Sequence, residues 1–391
     1  MRSTIVLLLA AAALFGQDTA LVRLKREAAL VKASAKDDSK EPSVTALHRA
    51  LRDWIEARLP EDKGLLSVKS ASLESSLQAE LTEAGLDEPD AASANAADDD
   101  YFDLRGLGSV SIELTQFPEL PDTLFVTAGA GVRCGVDEAV YGYHFDTLGR
   151  TSILQDIAEG YSFTTLQLSD PDAAGRRLLL IHRMSVQCAS TWMGLAYSVY
   201  RMGFLPGIAE PLFSEKQSFW LNDGPEFVLK PEELILEFLD FSVDTGVHNR
   251  TKIHRYRFSN SVQRLDPIAF QPQDFAEEWL TRPWSEMQSR SAPATADWHS
   301  KLHADFVMAD YSAVVPCVAR PGRWMIALDI TNIGEKKLDE PLETYFLVRE
   351  LGNYRYQMES VSDERPAGCP GQSFASDKHP WLSPAELKVL R

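Results

Sequence analysis

The side chains best suited to chemistry lie in four polar segments that separate predicted strands: 128–138, 183–191, 241–251 and 329–341. Carboxylates, imidazoles and amides beside an aromatic ring are groups that bind carbohydrates and other small polar ligands. The candidate ligand-binding residues in or beside these segments are Asp137, Glu138, His182, Trp192, Asp244, His248 and Asn249. The interpretation we favour for these residues is ordinary loop polarity, because connecting segments are polar in any protein.

No combination of these residues forms a recognisable catalytic motif. Asp137 and Glu138 are sequence neighbours and would face opposite ways on a strand, whereas a glycosidase needs two carboxylates flanking one bond. Serine-hydrolase and phosphate-binding glycine motifs are also missing from the sequence. We therefore predict no catalytic residue and no cofactor.

One pair of histidines has a spacing that can hold zinc. His299 and His303 are four residues apart on a predicted helix and would share a face. Ser300 stands where the HExxH proteases carry their glutamate. The interpretation we favour is a solvated helix face, and no metal site is predicted.

The first twenty residues resemble an export signal. Arg2 precedes an apolar run, Ile5–Phe15, that is too short to span a bilayer and is followed by small and polar residues. No cysteine directly follows this run, so a lipid anchor there is not expected. No later segment approaches 18 consecutive apolar residues. We expect a signal peptide over 1–20 and a secreted or periplasmic protein with no membrane span.

Export changes the interpretation of the four cysteines, which are Cys134, Cys188, Cys317 and Cys369. An even number of cysteines in an oxidising compartment favours disulfides, with four free thiols as the alternative. Cys134 and Cys188 occupy nearly equivalent positions in two polar segments, so we predict that they pair. The remaining pair would tie the C-terminal tail to the last strands.

Composition narrows the class of partner. The chain has 391 residues, is 45% hydrophobic and 25% charged, and carries a net charge of −18. It can therefore bury a substantial core. Nucleic acids and anionic membranes both require a positive field, so neither is expected as a partner. The partner classes that remain are a small polar ligand, a glycan and an envelope protein.

From Ser109 onward the hydrophobic pattern has a period of two, typical of strands. Four units are predicted, each with four strands in a meander. The predicted strands are 109–116, 124–128, 139–145 and 151–155; 162–169, 178–182, 194–202 and 207–213; 226–230, 234–238, 252–258 and 263–270; and 312–318, 324–328, 343–351 and 354–360. The second strands begin 54, 56 and 90 residues apart, and the longest interval matches a helical insertion. Regular spacing of this kind indicates a repeat architecture.

The predicted fold is therefore mainly β, with four blade-like β-meander units arranged as a propeller or as two sheets. A small N-terminal helical element and a helical insertion complete it. The predicted organisation is a signal peptide (1–20), a mobile leader (21–42), a helical hairpin (43–86), an acidic linker (87–108), units one to three (109–270), the helical insertion (271–311), and unit four with the tail (312–391).

Three functions are compatible with this pattern. The first is a non-catalytic extracytoplasmic binding or interaction module, favoured by the repeats and by the missing catalytic motifs. The second is a secreted hydrolase of glycans or esters, with a site in the polar segments. The third is a structural component of an envelope assembly, with tryptophans of the insertion as a contact surface. A repeat fold hosts all three, so the fold alone does not choose between them.

Overall fold

A computed structural model describes residues 19–34, 44–59, 70–87, 107–132, 135–185, 192–203, 209–220, 224–244, 246 and 249–369. Within these residues sixteen strands form four four-stranded sheets, and in each sheet neighbouring strands follow one another along the chain. The prediction of a mainly β fold with four meander units is confirmed. The chain divides into two compact units, Met1–Ser218 and Phe219–Arg391.

The first unit contains two of the sheets. Sheet 1 comprises β1 (Val110–Thr115), β2 (Thr123–Val132), β3 (Gly135–Asp146) and β4 (Gly149–Ile157). Sheet 2 comprises β5 (Tyr161–Leu168), β6 (Arg177–Ser185), β7 (Trp192–Met202) and β8 (Ala209–Trp220). One face of sheet 1 packs against sheet 2 through an apolar cluster that includes Phe125, Leu154, Leu179 and Ile181.

The other face of sheet 1 is covered by helices α1 (residues 19–34), α2 (Thr45–Glu56) and α3 (Ser70–Glu83). Trp54 and Leu51 of α2 are fully buried against this face. Helix α2 carries its apolar residues on one stripe, as the helical period predicts. Ala128 and Ala130 of β2 are also fully buried in this cluster, because small side chains let a helix lie close to the sheet.

Helix α1 shows that residues 21–34 of the predicted mobile leader (21–42) form a packed helix, while 35–42 lie outside the described residues. Leu24, Ala28 and Val31 are four and three residues apart, which places them on one helical face, and all three are buried. The stripe is short, but it packs into a core that other elements supply, so few large apolar groups suffice. Most of the predicted signal peptide, 1–18, lies outside the described residues.

The second unit contains sheets 3 and 4. Sheet 3 comprises β9 (Glu226–Leu229), β10 (Glu233–Asp240), β11 (Arg250–Phe258) and β12 (Val262–Arg264). Sheet 4 comprises β13 (Val307–Pro316), β14 (Arg323–Ile333), β15 (Lys336–Gly352) and β16 (Arg355–Ser362). Strand β13 begins inside the predicted insertion, which therefore ends earlier than 311.

The insertion is helical, as predicted. It forms α4 (Pro272–Thr281), α5 (Trp284–Met287), two 3-10 turns (Gln288–Arg290 and Pro293–Thr295) and α6 (Ala296–Leu302). Phe275 and Trp279 of α4 are fully buried against sheet 4, and the Trp279 Nε1 donates to Ser291 Oγ at 3.0 Å. Trp284 and Trp298 are half-buried against the same cluster. The tryptophans thus dock the helices on sheet 4.

Two of the predicted polar loops are in fact strands. Apart from 133–134, which lie outside the described residues, 128–138 belong to the regularly paired β2 and β3, and 329–341 belong to β14 and β15, whose register shifts between Ile330 and Asn332. At the second turn Gly334 has φ +58°, a conformation that favours glycine. In both segments the backbone pairing outweighs the low hydrophobicity of the sequence.

The disulfide predicted between Cys317 and Cys369 is present, with the two Cα atoms 4.1 Å apart. It ties the residues after β16 to the end of β13, over a face of sheet 4 that carries Met325 and Leu347. Cys134 and Cys188 lie outside the described residues, so the second bridge stays a prediction. In the part of the chain that is described, the helices are all too short or too polar to cross a bilayer.

Candidate functional site

The first unit contains a cavity of about 460 Å³ between the end of β4 and strands β7 and β8. Its size falls in the range of small-molecule sites. The polar residues that line it come from all three strands and from the residues after β4: Gln155, Asp156, Glu159, Tyr197, Ser198, Tyr200, Ser214, Glu215 and Lys216. Ala196, Leu212 and Phe213 add apolar surface. Convergent polar groups beside tyrosine and phenylalanine rings are what a polar ligand requires.

Among the lining residues, Asp156 is buried, and its side chain is held from two sides. Arg183 Nη1 forms an ion pair with Asp156 Oδ1, and the Tyr200 hydroxyl donates to Asp156 Oδ2 at 2.6 Å. Arg183 Nη2 donates to the Asp156 carbonyl at 3.2 Å, and its Nε donates to Thr164 Oγ1 at 3.1 Å. Arg183 is only 1% exposed. A buried pair is tolerated when the remaining hydrogen bonds are satisfied, and here they largely are.

Tyr200 is a hydrogen-bond donor in this arrangement and not a base. Burial raises the pKa of its phenol well above the ordinary value, and the adjacent Asp156 carboxylate raises the pKa further. The hydroxyl therefore keeps its proton throughout the physiological range. Tyr200 and Arg183 together fix the orientation of the Asp156 carboxylate before any ligand arrives.

A second tyrosine holds a second carboxylate on the other side of the sheet. The Tyr197 hydroxyl donates to Glu215 Oε2 at 2.7 Å. Tyr197 and Tyr200 are three residues apart on β7, whose register with β6 is regular, so their side chains leave opposite faces. The Asp156 and Glu215 carboxylates are thus held on opposite faces of sheet 2, which is unsuitable for an acid–base pair acting on one bond.

The cavity wall is connected to helix α2. Arg52 Nη1 donates to Gln155 Oε1 at 2.5 Å, and the Thr45 hydroxyl donates to Glu159 Oε1. The ammonium of the lining residue Lys216 lies 4.9 Å from the centre of the Tyr161 ring, within the range of a cation–π contact. These contacts give the cavity a defined shape.

The predicted candidates Asp137 and Glu138 lie on β3 and point to opposite sides, as expected for strand neighbours. Asp137 is buried and faces α2, where its Oδ1 is 2.6 Å from His48 Nε2, while its Oδ2 accepts from the Gly160 amide. Glu138 faces sheet 2, and its Oε2 accepts from the Thr164 amide at 2.7 Å. Both carboxylates join elements of the fold, and neither lines the cavity.

His182 lies on β6, opposite Tyr197 of β7, and so shares the face of sheet 2 that carries Glu215. Its Nε2 is 3.5 Å from Gln167 Nε2. Burial lowers the pKa of His182 to about 4, and the neighbouring Arg183 charge lowers the pKa too, so the imidazole is neutral at pH 7. Trp192 is the first residue of β7. His248 lies outside the described residues.

Two further candidates belong to the second unit. Asp244 is buried, and its carboxylate accepts from the Gly246 amide at 2.6 Å and from the Tyr311 amide at 3.0 Å. Its backbone also pairs with Ala309 of β13. Asn249 is half-buried immediately before β11. Asp244 therefore fastens the β10–β11 connection to sheet 4.

A concentration of buried charge also lies in the second unit. Arg250 of β11 donates from Nε to Glu277 Oε2 and from Nη2 to Glu278 Oε1, both at 2.5 Å. Arg282 pairs with the other oxygen of Glu278. All four side chains, and Asp274 one turn before them on α4, are less than a tenth exposed. The sequence offers one signal for this network, which is the acidic pair Glu277-Glu278 inside a helix rich in aromatic residues.

His299 and His303 do not form the solvated face that the helical spacing predicts. His299 is 2% exposed, because α6 folds back on α4 and places the imidazole between Trp279 and Trp284, with ring centres 4.8 and 5.2 Å away. His299 Nε2 lies 3.0 Å from the Arg282 carbonyl, and His303 Nδ1 lies 2.9 Å from the Leu280 carbonyl. Burial lowers the pKa of His299. Across the described residues no group of His, Cys, Asp and Glu side chains could hold a metal ion.

Asp156, Arg183 and Tyr200 were missed by the sequence reasoning. Arg183 stands within the apolar run Leu178–Met184, and a charge in such a run must be paired when the strand is buried. That signal marks Arg183, but its partner is 27 residues away in the other sheet. Comparison with known proteins supplies no functional assignment: the chain matches no protein-family model, and no curated protein is significantly similar to it in sequence.

Proposed function

We propose that this protein is a non-catalytic extracytoplasmic binding module whose cavity in the first unit takes a small polar ligand with several hydroxyl groups, such as a saccharide. The observation that supports this proposal most directly is the pre-organised Asp156 carboxylate, fixed by Arg183 and Tyr200 at the wall of a 460 Å³ cavity. Fixed acceptors and donors reduce the entropic cost of binding.

The chemistry of the ligand follows from the lining. Ser198 and Ser214 each offer a hydroxyl that can both donate and accept, and Lys216 offers donors only. The rings of Phe213 and Tyr200 provide flat apolar surface. A ligand that presents alternating hydroxyls and C–H faces matches such a lining better than a purely apolar or a polyanionic ligand.

Binding without turnover is favoured over hydrolysis by the positions of the carboxylates. Asp156 is engaged in an ion pair, and Glu215 is held on the other face of sheet 2. An extracytoplasmic location is supported by the Cys317–Cys369 disulfide, since structural disulfides persist in oxidising compartments, and by the apolar run Ile5–Phe15.

Thermal unfolding in the presence of a saccharide panel tests the proposal. The panel contains neutral, amino and uronic oligosaccharides, and a ligand at 100 times its Kd should add about 2.7 kcal/mol, a rise of a few degrees in Tm. Ser214→Trp should abolish the rise, because an indole at this exposed lining position would fill the cavity mouth.

Ser218→Trp is the matched control. Ser218 is exposed on the same strand but is not part of the cavity lining, so this variant should keep the rise in Tm. An equal rise in the Ser214→Trp variant would place binding elsewhere and contradict the proposed site. A panel in which no member changes the Tm would contradict the saccharide class.

A further inference from the structure

Helix α4 is enclosed along almost its whole length and yet carries three carboxyl groups. Every residue from Pro272 to Leu280 is buried. Phe275, Trp279 and Leu280 face the apolar cluster on sheet 4. The acidic residues Asp274, Glu277 and Glu278 are three and four residues apart, so they share the polar side of the helix, where Arg250 of sheet 3 meets the glutamates.

The two glutamates take up the available positive charge. Glu277 accepts from Arg250 Nε, from the Ser242 hydroxyl at 2.7 Å and from the Tyr311 hydroxyl at 2.5 Å. Glu278 accepts from Arg250 Nη2 and from Arg282. Arg250 and Arg282 are therefore already engaged by Glu277 and Glu278, Arg282 also pairs with Glu286, and Asp274 is the third carboxyl of the buried set on α4.

Asp274 is faced by ionisable groups from each element around it. These are Glu277 and Glu278 on α4, Arg250 on β11, Tyr311 on β13 and Tyr356 on β16. The tyrosine hydroxyls are directed elsewhere, to Glu277 Oε1 and to the Phe270 carbonyl. Among the described residues, Asp274 Oδ1 and Arg250 Nη1 have no hydrogen-bond partner.

We infer that Asp274 holds a proton when α4 is seated against sheets 3 and 4, and that loss of this proton loosens the helix. An ionised Asp274 would place a third negative charge beside Glu277 and Glu278, in a buried setting without solvent to screen it, and its Oδ1 accepts no hydrogen bond from any described residue there. A neutral carboxyl needs only one donor and one acceptor, and it tolerates the glutamates beside it.

The pKa of Asp274 is shifted in the direction that a retained proton requires. Burial raises the pKa of Asp274 to about 7; the Arg250 charge lowers it, and Glu277 and Glu278 raise it. An unfolded aspartate has a pKa of about 3.9, so the folded form binds more protons between about pH 4 and 7. The stabilising effect of Asp274 is therefore complete below pH 4 and is lost as the pH rises through about 7.

Hydrogen exchange of the full chain, measured by mass spectrometry at pH 5.5 and 8.5, tests this inference. After correction for the intrinsic pH dependence of exchange, protection of the amides over residues 272–281 should fall by roughly 30-fold at pH 8.5. Asp274→Asn, which keeps the shape and removes the charge, should leave protection equal at the two pH values.

The matched control is Asp297→Asn, since Asp297 is an exposed aspartate on α6 and its variant should respond to pH as the wild type does. The inference is wrong if Asp274→Asn keeps the wild-type pH response, or if wild-type protection does not fall. Carboxyl ¹³C NMR of the wild type gives a second reading that needs no variant: one buried aspartate must titrate near neutrality, and its absence would equally overturn the inference.

Discussion

His48 Nε2 lies 2.6 Å from Asp137 Oδ1, and both side chains are almost completely shielded from solvent. The contact joins helix α2 to the middle of sheet 1 across 89 residues of chain. The Tyr141 hydroxyl also donates to the backbone carbonyl of His48 on the same helix, at 3.0 Å. Since α2 also contacts the cavity wall through Thr45 and Arg52, this pair helps to position the proposed binding site.

Asp137→Ala should lower the free energy of unfolding by about 2–5 kcal/mol, because it leaves the buried His48 imidazole without its partner and also removes the acceptor of the Gly160 amide. Urea denaturation at pH 7 measures the loss. Asp53→Ala, on the same helix, removes the exposed Arg23–Asp53 pair, in which both side chains are more than 40% exposed, and should cost less than about 1 kcal/mol. Equal losses would contradict a fastening role for Asp137.

The strands could be predicted because their side chains alternate, and each predicted segment overlaps a strand of the structure. Helix α1 could not, since Leu24, Ala28 and Val31 form a stripe too sparse to indicate a helix by itself. Its burial depends on α2 and sheet 1, which the local sequence does not describe. The prediction that His299 lies on an exposed face was wrong for the same reason, because the contact of α6 with α4 is not visible in the local sequence.

The candidate site was harder to predict than the strands. Polar residues in apparent loops, such as Asp137 and Asp244, are bound to backbone amides within the fold. The cavity residues lie instead on strands and look like ordinary alternating positions. Arg183 and Asp156 meet only because sheets 1 and 2 pack face to face, and no spacing in the sequence encodes that contact.

Arg183→Met should lower the free energy of unfolding by about 3–5 kcal/mol at pH 7, since it leaves the buried Asp156 carboxylate without its cationic partner. Adding Asp156→Asn should recover part of the loss, because the unpaired charge is then gone. Chemical denaturation of both single variants and of the double variant gives the coupling between the two residues. Additive losses would show that the pair is not coupled and would remove the support for a pre-organised carboxylate.

Glu278→Gln should destabilise the protein near neutral pH and have a much smaller effect in acid. Burial alone would raise the pKa of Glu278, but Arg282 and Arg250 outweigh burial and lower the pKa to about 2. The stabilisation is therefore present above the unfolded pKa of about 4.3 and is lost as the pH falls towards 2.

We expect the wild type to be more stable than the Glu278→Gln variant by about 3 kcal/mol at pH 6, with the difference shrinking steadily below pH 4. Urea midpoints measured from pH 6 to pH 2.5 give the comparison. Glu286→Gln is the control, since Glu286 pairs with the same Arg282 but is one-third exposed, and it should cost less than about 1 kcal/mol. A difference that does not change with pH would contradict the ion-pair explanation.

Removal of the Cys317–Cys369 bond should destabilise sheet 4. The bond closes a loop of 52 residues, and the entropy of that closure in the unfolded chain corresponds to about 4 kcal/mol. The double variant Cys317→Ala/Cys369→Ala should therefore show a lower denaturation midpoint, and reductant should no longer affect peptides from β13 and β16 in hydrogen exchange. Val318→Ser, at an adjacent position that is 82% exposed, should stay within about 0.5 kcal/mol of the wild type. If the double variant were as stable as Val318→Ser, the disulfide would not stabilise the fold, and the prediction would be wrong.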